Sequence, residues 1–266
     1  MKVSALAIYP VKSLGPVALE RARVEPRGLA GDRRWLIVDE NNRFVTRREF
    51  PVLARITISA EADGGYRLVH PDGEARLDQE VASRLVAPVV VWRDTVDAVL
   101  VENEASALIS SVAGRSLRLA YMAEESIRPV DPAHARPNEI VSFADGYPVL
   151  VTTEASLAAL NAALEAPVEM TRFRPNIVLT GDMPPWSEAG WDRLTVGDAR
   201  LRFTKPCSRC IVITQHPETG EREEGNAVPR ALRRLGQFSR EGALFGMNAV
   251  PEVQGEVSAG NEASVA

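Results

Sequence analysis

The segment PCSRC, Pro206 to Cys210, carries both cysteines of a 266-residue chain, Cys207 and Cys210. A C-x-x-C pair supports four chemistries: a redox couple, half of a zinc site, a disulfide, or one metal thiolate beside a sulfur that only packs. A structural zinc site needs four Cys or His ligands. His70, His134 and His216 offer no second ligand pair at the required spacing. A thioredoxin-like couple sits at a helix N-terminus, where the dipole lowers one thiol's pKa. Here the β-branched run Ile211-Val212-Ile213-Thr214 follows the pair and predicts a strand, as does ARLRFTKP before it. The pair is therefore expected on a tight turn between strands, with Arg209 favouring a thiolate, so thiol–disulfide chemistry stays open. The other option is one thiolate presented to a metal whose remaining ligands come from outside the chain.

The elements that must position such a thiolate are mostly short strands. VSALAIYPV opens the chain, RWLIVDENNRFVTRR reads as a hairpin turning at Asn41-Asn42, and ARITISAEADGGYRLVH as one turning at Gly64-Gly65. LTVGDARLRF and VSAGNEASVA each place a Gly-Asp or Gly-Asn turn between β-forming stretches, as strand–turn–strand elements of a barrel or folded sheet. Short helices are expected over DQEVASRLVAPV, NEASALISSVAG and TTEASLAALNAAL, the last capped by Thr152 or Thr153. Ahead of that last helix runs a Pro-rich polar loop, IRPVDPAHARPNEIVSFADGYP, of a length that usually signals function. The change of texture near residue 120 divides the chain into a β-rich part, 1–120, and an α/β part, 121–266.

The net charge of −5 gives no footprint for a nucleic-acid polymer. An anionic ligand must instead be met by a local cluster of Arg and Lys. No apolar run is long enough for a signal peptide or a membrane span. With so few cysteines, this predicts a cytoplasmic protein with no membrane partner.

Six motifs then occur in order: YPVKS (Tyr9 to Ser13), GDRRWLIVD (Gly31 to Asp39), FRPNIVL (Phe173 to Leu179), WDRLTVGD (Trp191 to Asp198), PCSRC and LFGMNA (Leu244 to Ala249). Together they resemble the MOSC family. The resemblance is nearest to its branch with an N-terminal MOSC-N region, the mitochondrial amidoxime-reducing components and bacterial reductases of N-hydroxylated bases. It implies an α+β, β-rich fold: a MOSC-type β-barrel with flanking helices, after a MOSC-N β-rich region whose first residues, up to Arg33, contribute to a cofactor site. It also implies a molybdenum cofactor (Mo-molybdopterin) as the anionic ligand. In that branch the second cysteine of the motif holds the metal, which falls on Cys210, while Cys207 is a small buried residue supporting the turn.

The same resemblance carries Lys12, Ser13 and Arg33 over as pterin-phosphate contacts, with Arg174 and Asn176 near the cofactor. Ser208 and Arg209 would offer backbone N–H groups, Gly146 and Tyr147 backbone contacts, and Asn248 a side chain nearby. Asp145 is the carboxylate that could move a proton. Arg47 and Arg48 read as an exposed hairpin flank, His216 as a loop histidine, and TGEREEG as a solvated loop.

The activity implied is reduction of small N-hydroxylated compounds: amidoximes, hydroxylamines and N-hydroxylated bases. The chain carries no intrinsic iron–sulfur ligand set of the kind some bacterial relatives have. Its electrons are therefore expected from a separate donor, a ferredoxin, a flavoprotein reductase or a cytochrome b5-like protein. Two other readings remain: a sulfur or cofactor carrier with a persulfide on Cys210, and a thiol–disulfide protein using both cysteines.

Overall fold

The structure is a computed structural model that describes residues 1–78, 81, 83, 85–222 and 226–266. Its spine is the antiparallel pair Ala199–Arg209 and Gly242–Val253, the two longest strands. From Ala199 to Phe203 every second side chain is buried, the period of a strand with one face on a core. Outward from this spine the sheet runs through Arg193–Val196 to Ala263–Val265 on one side. On the other it runs through Val149–Thr153, Ile177–Thr180 and Lys2–Ile8 to Val17–Leu19. The two ends meet. Val3 N donates to Asn261 O at 2.9 Å, Gly260 N to Val3 O at 2.8 Å and Ala263 N to Met1 O at 3.0 Å, which curls the sheet into a barrel. Closure leaves few exposed strand edges and one interior, filled by Val3, Leu6, Val151, Ile177, Leu201 and Met247.

The first strand of the chain thus lies beside strands from the second half, and Gly255–Ser258 pairs in turn with Arg21–Glu25. A four-stranded sheet orders Trp35–Val38, Arg118–Tyr121, Asp94–Val101 and Val86–Val91, so the texture change near residue 120 falls within one of its strands. A further meander joins Thr57–Ala60, Tyr66–His70 and Gly73–Leu77. The result is a strand-rich α+β fold, as expected.

The helices over NEASALISSVAG and TTEASLAALNAAL form as Glu104–Ala113 (α1) and Glu154–Asn161 (α2). Asn103 caps α1 and Gly114, at φ 65°, ends it. Thr153, rather than Thr152, caps α2 by accepting from Ser156 N at 3.1 Å. The helix expected over DQEVASRLVAPV is not seen among its described residues. Residues 79, 80, 82 and 84 lie outside those described, and Val86–Val91 is a strand, where Val89 and Val91 are buried and β-branching suits the sheet. A helix absent from the sequence reading, Ala227–Arg234 (α3), buries Val228, Ala231 and Leu232 at helical spacing.

The turns at Gly64–Gly65 and Gly197 join paired strands as expected. VSAGNEASVA does hold two strands, but each pairs elsewhere. At Asn41–Asn42 the chain reverses, with Asn42 at φ 58°, although the returning arm makes only isolated bridges, Val38 to Phe44 and Arg43 to Val90.

Candidate functional site

Cys207 and Cys210 do not share a tight turn. Cys207 lies half-buried within the strand Ala199–Arg209, and Cys210 stands just past its end, exposed, at the entry to a 3-10 turn, Ile211–Thr214. The expected strand over that segment is replaced by this turn, which two buried arginines hold at Ile213 and at the two residues that follow the turn, Gln215 and His216. Arg172 Nη1 donates to Ile213 O at 3.2 Å and Gln215 O at 3.0 Å. Arg47 Nε donates to Gln215 Oε1 at 3.0 Å and its Nη2 to His216 O at 3.0 Å, while Gln215 Nε2 returns a bond to Arg47 O at 2.9 Å. Ile213 plugs the turn into an apolar cluster with Phe173, Leu232 and Phe245. The thiol of Cys210 is thereby fixed at a place its own flanking residues do not specify.

The pocket it faces encloses about 110 Å³ between walls drawn from distant parts of the chain. Lys12 Nζ donates to Phe143 O at 2.9 Å and forms an ion pair with Asp145 at 2.5 Å. Arg33 binds the buried Asp32 at 2.6 Å, the carbonyl of Arg174 at 3.3 Å and Asn176 Oδ1 at 3.2 Å. Asn176 is fully committed: its Oδ1 also accepts from Leu150 N, and its Nδ2 donates to Ala7 O. Arg33 and Arg174 both lie over the ring of Tyr9, at 4.5 and 4.1 Å. Arg209 donates to Cys207 Sγ at 2.9 Å and to Phe173 O at 2.6 Å.

Backbone strain concentrates here. Ser13 (φ 80°), Arg33 (47°), Trp92 (56°) and Arg174 (55°) line the pocket in the left-handed region, which costs an ordinary residue roughly 1–2 kcal/mol. Gly246, at φ 75°, lies beside the wall, where a Cβ would meet Val151 O at 2.8 Å. It bends its strand so that Asn248 reaches the pocket.

Crowded cations work against one another. Burial, then Arg33, lowers the pKa of Arg174 to about 9, and burial lowers that of Arg47 to about 10. Burial lowers Lys12 also, against the pull of Asp145. Burial opposes the charge of Arg33, but Asp32 outweighs it and raises the pKa. Burial acts to raise Asp145, yet 70 % of its side chain is open to the pocket and Lys12, with Arg33 and Arg209, holds it well below the usual carboxylate range. Asp145 stays ionised, which does not suit the proton donor expected of it.

Of the residues singled out by sequence, Lys12, Ser13, Arg33, Asp145, Gly146, Tyr147, Arg174, Asn176, Arg209, Cys210 and Asn248 all line this one pocket. Ser208 does not. It is paired in the sheet with Leu244 and its hydroxyl contacts Glu241, because strand alternation turns it away from its neighbours. Arg47 and Arg48 were expected on an exposed flank and instead line the pocket, Arg47 at 5 % exposure. Cys207 lines it too. His216 is an exposed loop histidine whose Nδ1 accepts from Glu218 and Thr219. TGEREEG extends into residues 223–225, outside those described. Trp92 was missed, since nothing in its neighbourhood marks it as more than a turn residue.

The charges and the thiol present suit an anionic group bearing a soft metal. Among the described residues, Arg209 Nε is buried without a hydrogen-bond partner one residue before the exposed thiol, and cations outnumber the single carboxylate on the wall.

A closed, strand-rich barrel that sets one exposed thiol into a cationic pocket defines the class. The chain belongs to the MOSC family: the MOSC N-terminal beta barrel domain matches residues 1–116 and the MOSC domain residues 119–264. Mitochondrial amidoxime-reducing component 1 of Homo sapiens is 31% identical over 285 residues, covering 97% of this chain and 81% of that protein. Mitochondrial amidoxime reducing component 2 of Homo sapiens is 29% identical over 280 residues, covering 97% and 82%. The crystal structure of the YUAD protein from Bacillus subtilis covers 99% of this chain and 94% of that one, with a TM-score of 0.46 and 13% identity, too loose a likeness to argue from.

Proposed function

We propose that the protein is a molybdenum-cofactor-dependent reductase of small N-hydroxylated compounds: amidoximes, hydroxylamines and N-hydroxylated bases. The observation that carries the proposal is the exposed thiol of Cys210 on the wall of a pocket shared with Lys12, Arg33, Arg174 and Arg209. The relatives' name, amidoxime-reducing component, supports the substrate class. Cys210 would hold the metal, since thiolates suit soft centres. Lys12, Ser13, Arg33 and Arg174 would hold the phosphate and pterin, with Arg209, Asn248 and the backbone of Gly146 and Tyr147 at the edges. When bound, molybdenum supplies two-electron removal of oxygen from nitrogen.

Asp145, ionised and bonded to Lys12, orients that ammonium rather than donating a proton. Solvent at the pocket mouth is then the proton source for the departing water. Asn176 keeps Arg33 in place through its amide oxygen. Electrons come from a separate partner, a ferredoxin, a flavoprotein reductase or a cytochrome b5-like protein.

The test is reduction of benzamidoxime by the molybdenum-loaded protein with an artificial low-potential donor. The expected product is benzamidine, formed by wild type and lost in Cys210→Ala. Purified protein without molybdenum, carrying labile sulfane sulfur on Cys210, would overturn the proposal in favour of a sulfur carrier.

A further inference from the structure

Trp92 lines the pocket, yet none of the roles above uses it. It is the first of the two residues that join Val86–Val91 to Asp94–Val101, since Val91 pairs directly with Asp94. At φ 56° this is a position where a two-residue hairpin loop favours glycine, and a bulky aromatic is an outlier. The residue remains 40 % exposed, so burial does not account for it. Its ring neighbours belong to the pocket. The Arg48 guanidinium lies 4.4 Å from the indole centroid, Lys12 Nζ lies 5.9 Å away, and Phe44 tilts against it at 5.0 Å. Trp92 Nε1 donates to Asp145 Oδ1 at 3.3 Å, the oxygen that Lys12 also binds. Held by that bond on one edge and by Phe44 on another, the indole is fixed at the pocket mouth.

We infer that Trp92, with the Arg48 guanidinium stacked over its ring, forms a ledge that packs against planar, delocalised substrates and selects aromatic N-hydroxylated compounds over aliphatic ones. The inference rests on the reductase reading and deepens it. An indole face and a guanidinium plane both stack on conjugated rings, which gain a stacking contribution beyond the area burial that a short aliphatic chain also obtains. Lys12 and Arg33, paired with Asp145 and Asp32, are assigned to the cofactor, which leaves the ledge to meet the substrate.

The experiment is calorimetric titration of benzamidoxime and acetamidoxime into the cofactor-bearing protein, with turnover of each measured in parallel. Wild type is expected to bind benzamidoxime the more tightly. Trp92→Ala should weaken benzamidoxime binding about tenfold and acetamidoxime less than about twofold, while Trp92→Phe keeps most of the preference. Arg48→Ala leaves the hairpin itself untouched and should lower the preference about threefold, which keeps the test alive if Trp92→Ala misfolds. Equal weakening of both ligands, or an unchanged ratio in Trp92→Ala or Arg48→Ala, overturns the ledge. Wild type that binds with the predicted preference but reduces neither compound overturns the reductase and leaves the ledge standing.

Discussion

Arg209 Nη1 lies 2.9 Å from the sulfur of Cys207, two residues before it, while Cys210 one residue after it keeps an exposed thiol. The two sulfurs of one short motif are thus chemically unequal. Cys207 is engaged by a guanidinium inside a strand, and Cys210 is presented to the pocket from a separately anchored turn. Cys207→Ser preserves a hydrogen-bond acceptor for Arg209 and is expected to retain molybdenum, with a change in stability under about 1 kcal/mol. Cys210→Ser is expected to purify folded and metal-free. Denaturant unfolding and metal analysis of both variants check this.

Crowding of like charges gives the cofactor-free protein an affinity for anions. Arg174, whose pKa burial and Arg33 lower to about 9, is the most strained member. Saturating inorganic phosphate is expected to raise the melting midpoint of cofactor-free protein by about 2–4 °C, by binding the folded form alone. Arg174→Gln should remove most of that rise. Thermal melts with and without phosphate, at matched ionic strength, measure it.

The Lys12–Asp145 pair, 133 residues apart in sequence, sets a pH dependence of definite sign. Because the folded pKa of Asp145 is depressed, its contribution to stability is present above the unfolded carboxylate value, about 4, and is lost as pH falls through the folded value. Asp145→Asn should therefore be less stable than wild type at neutral pH, by under about 1 kcal/mol given the exposure of the carboxylate, with the gap closing in acid. The pH–rate profile of wild type above about pH 5 should show no limb belonging to this residue.

Arg47 holds the turn after Cys210 without touching the sulfur's own strand. Arg47→Met strands Gln215 Oε1 and the carbonyl of His216, and is expected to cost about 2–4 kcal/mol. Alkylation of Cys210 in the cofactor-free variant should quicken as the turn loosens, a readout that separates positioning from general destabilisation.

Much of this was legible in the residues. The strand–turn–strand pieces around Gly64 and Gly197 and the capped helices α1 and α2 follow from local chemistry that no distant contact overrides. Lys12, Arg33, Arg174 and Arg209 are legible because they sit in ordered motifs, whereas Arg47 and Arg48 read as an exposed hairpin flank. What stayed hidden depends on long-range partners. Ile211 to Thr214 has strand-forming side chains, yet Arg172 holds the carbonyl of Ile213, and Arg47 holds Gln215 and His216 just beyond it, in a 3-10 turn. Val86 to Val89 reads as the end of a helix because a short apolar run does not separate strand from helix by periodicity alone. Ser208 shares a motif with Cys210, but strand alternation turns it outward. Trp92 and Arg48 meet where the segment of Asn42 to Phe44 bonds to Val90, a pairing no local pattern encodes.

The most direct measurement is the molybdenum content of the purified wild-type protein beside that of Cys210→Ala. Wild type should carry near-stoichiometric molybdenum and the variant almost none, with both folded by circular dichroism. Equal molybdenum in the two proteins would contradict the assignment of that sulfur as the metal's anchor.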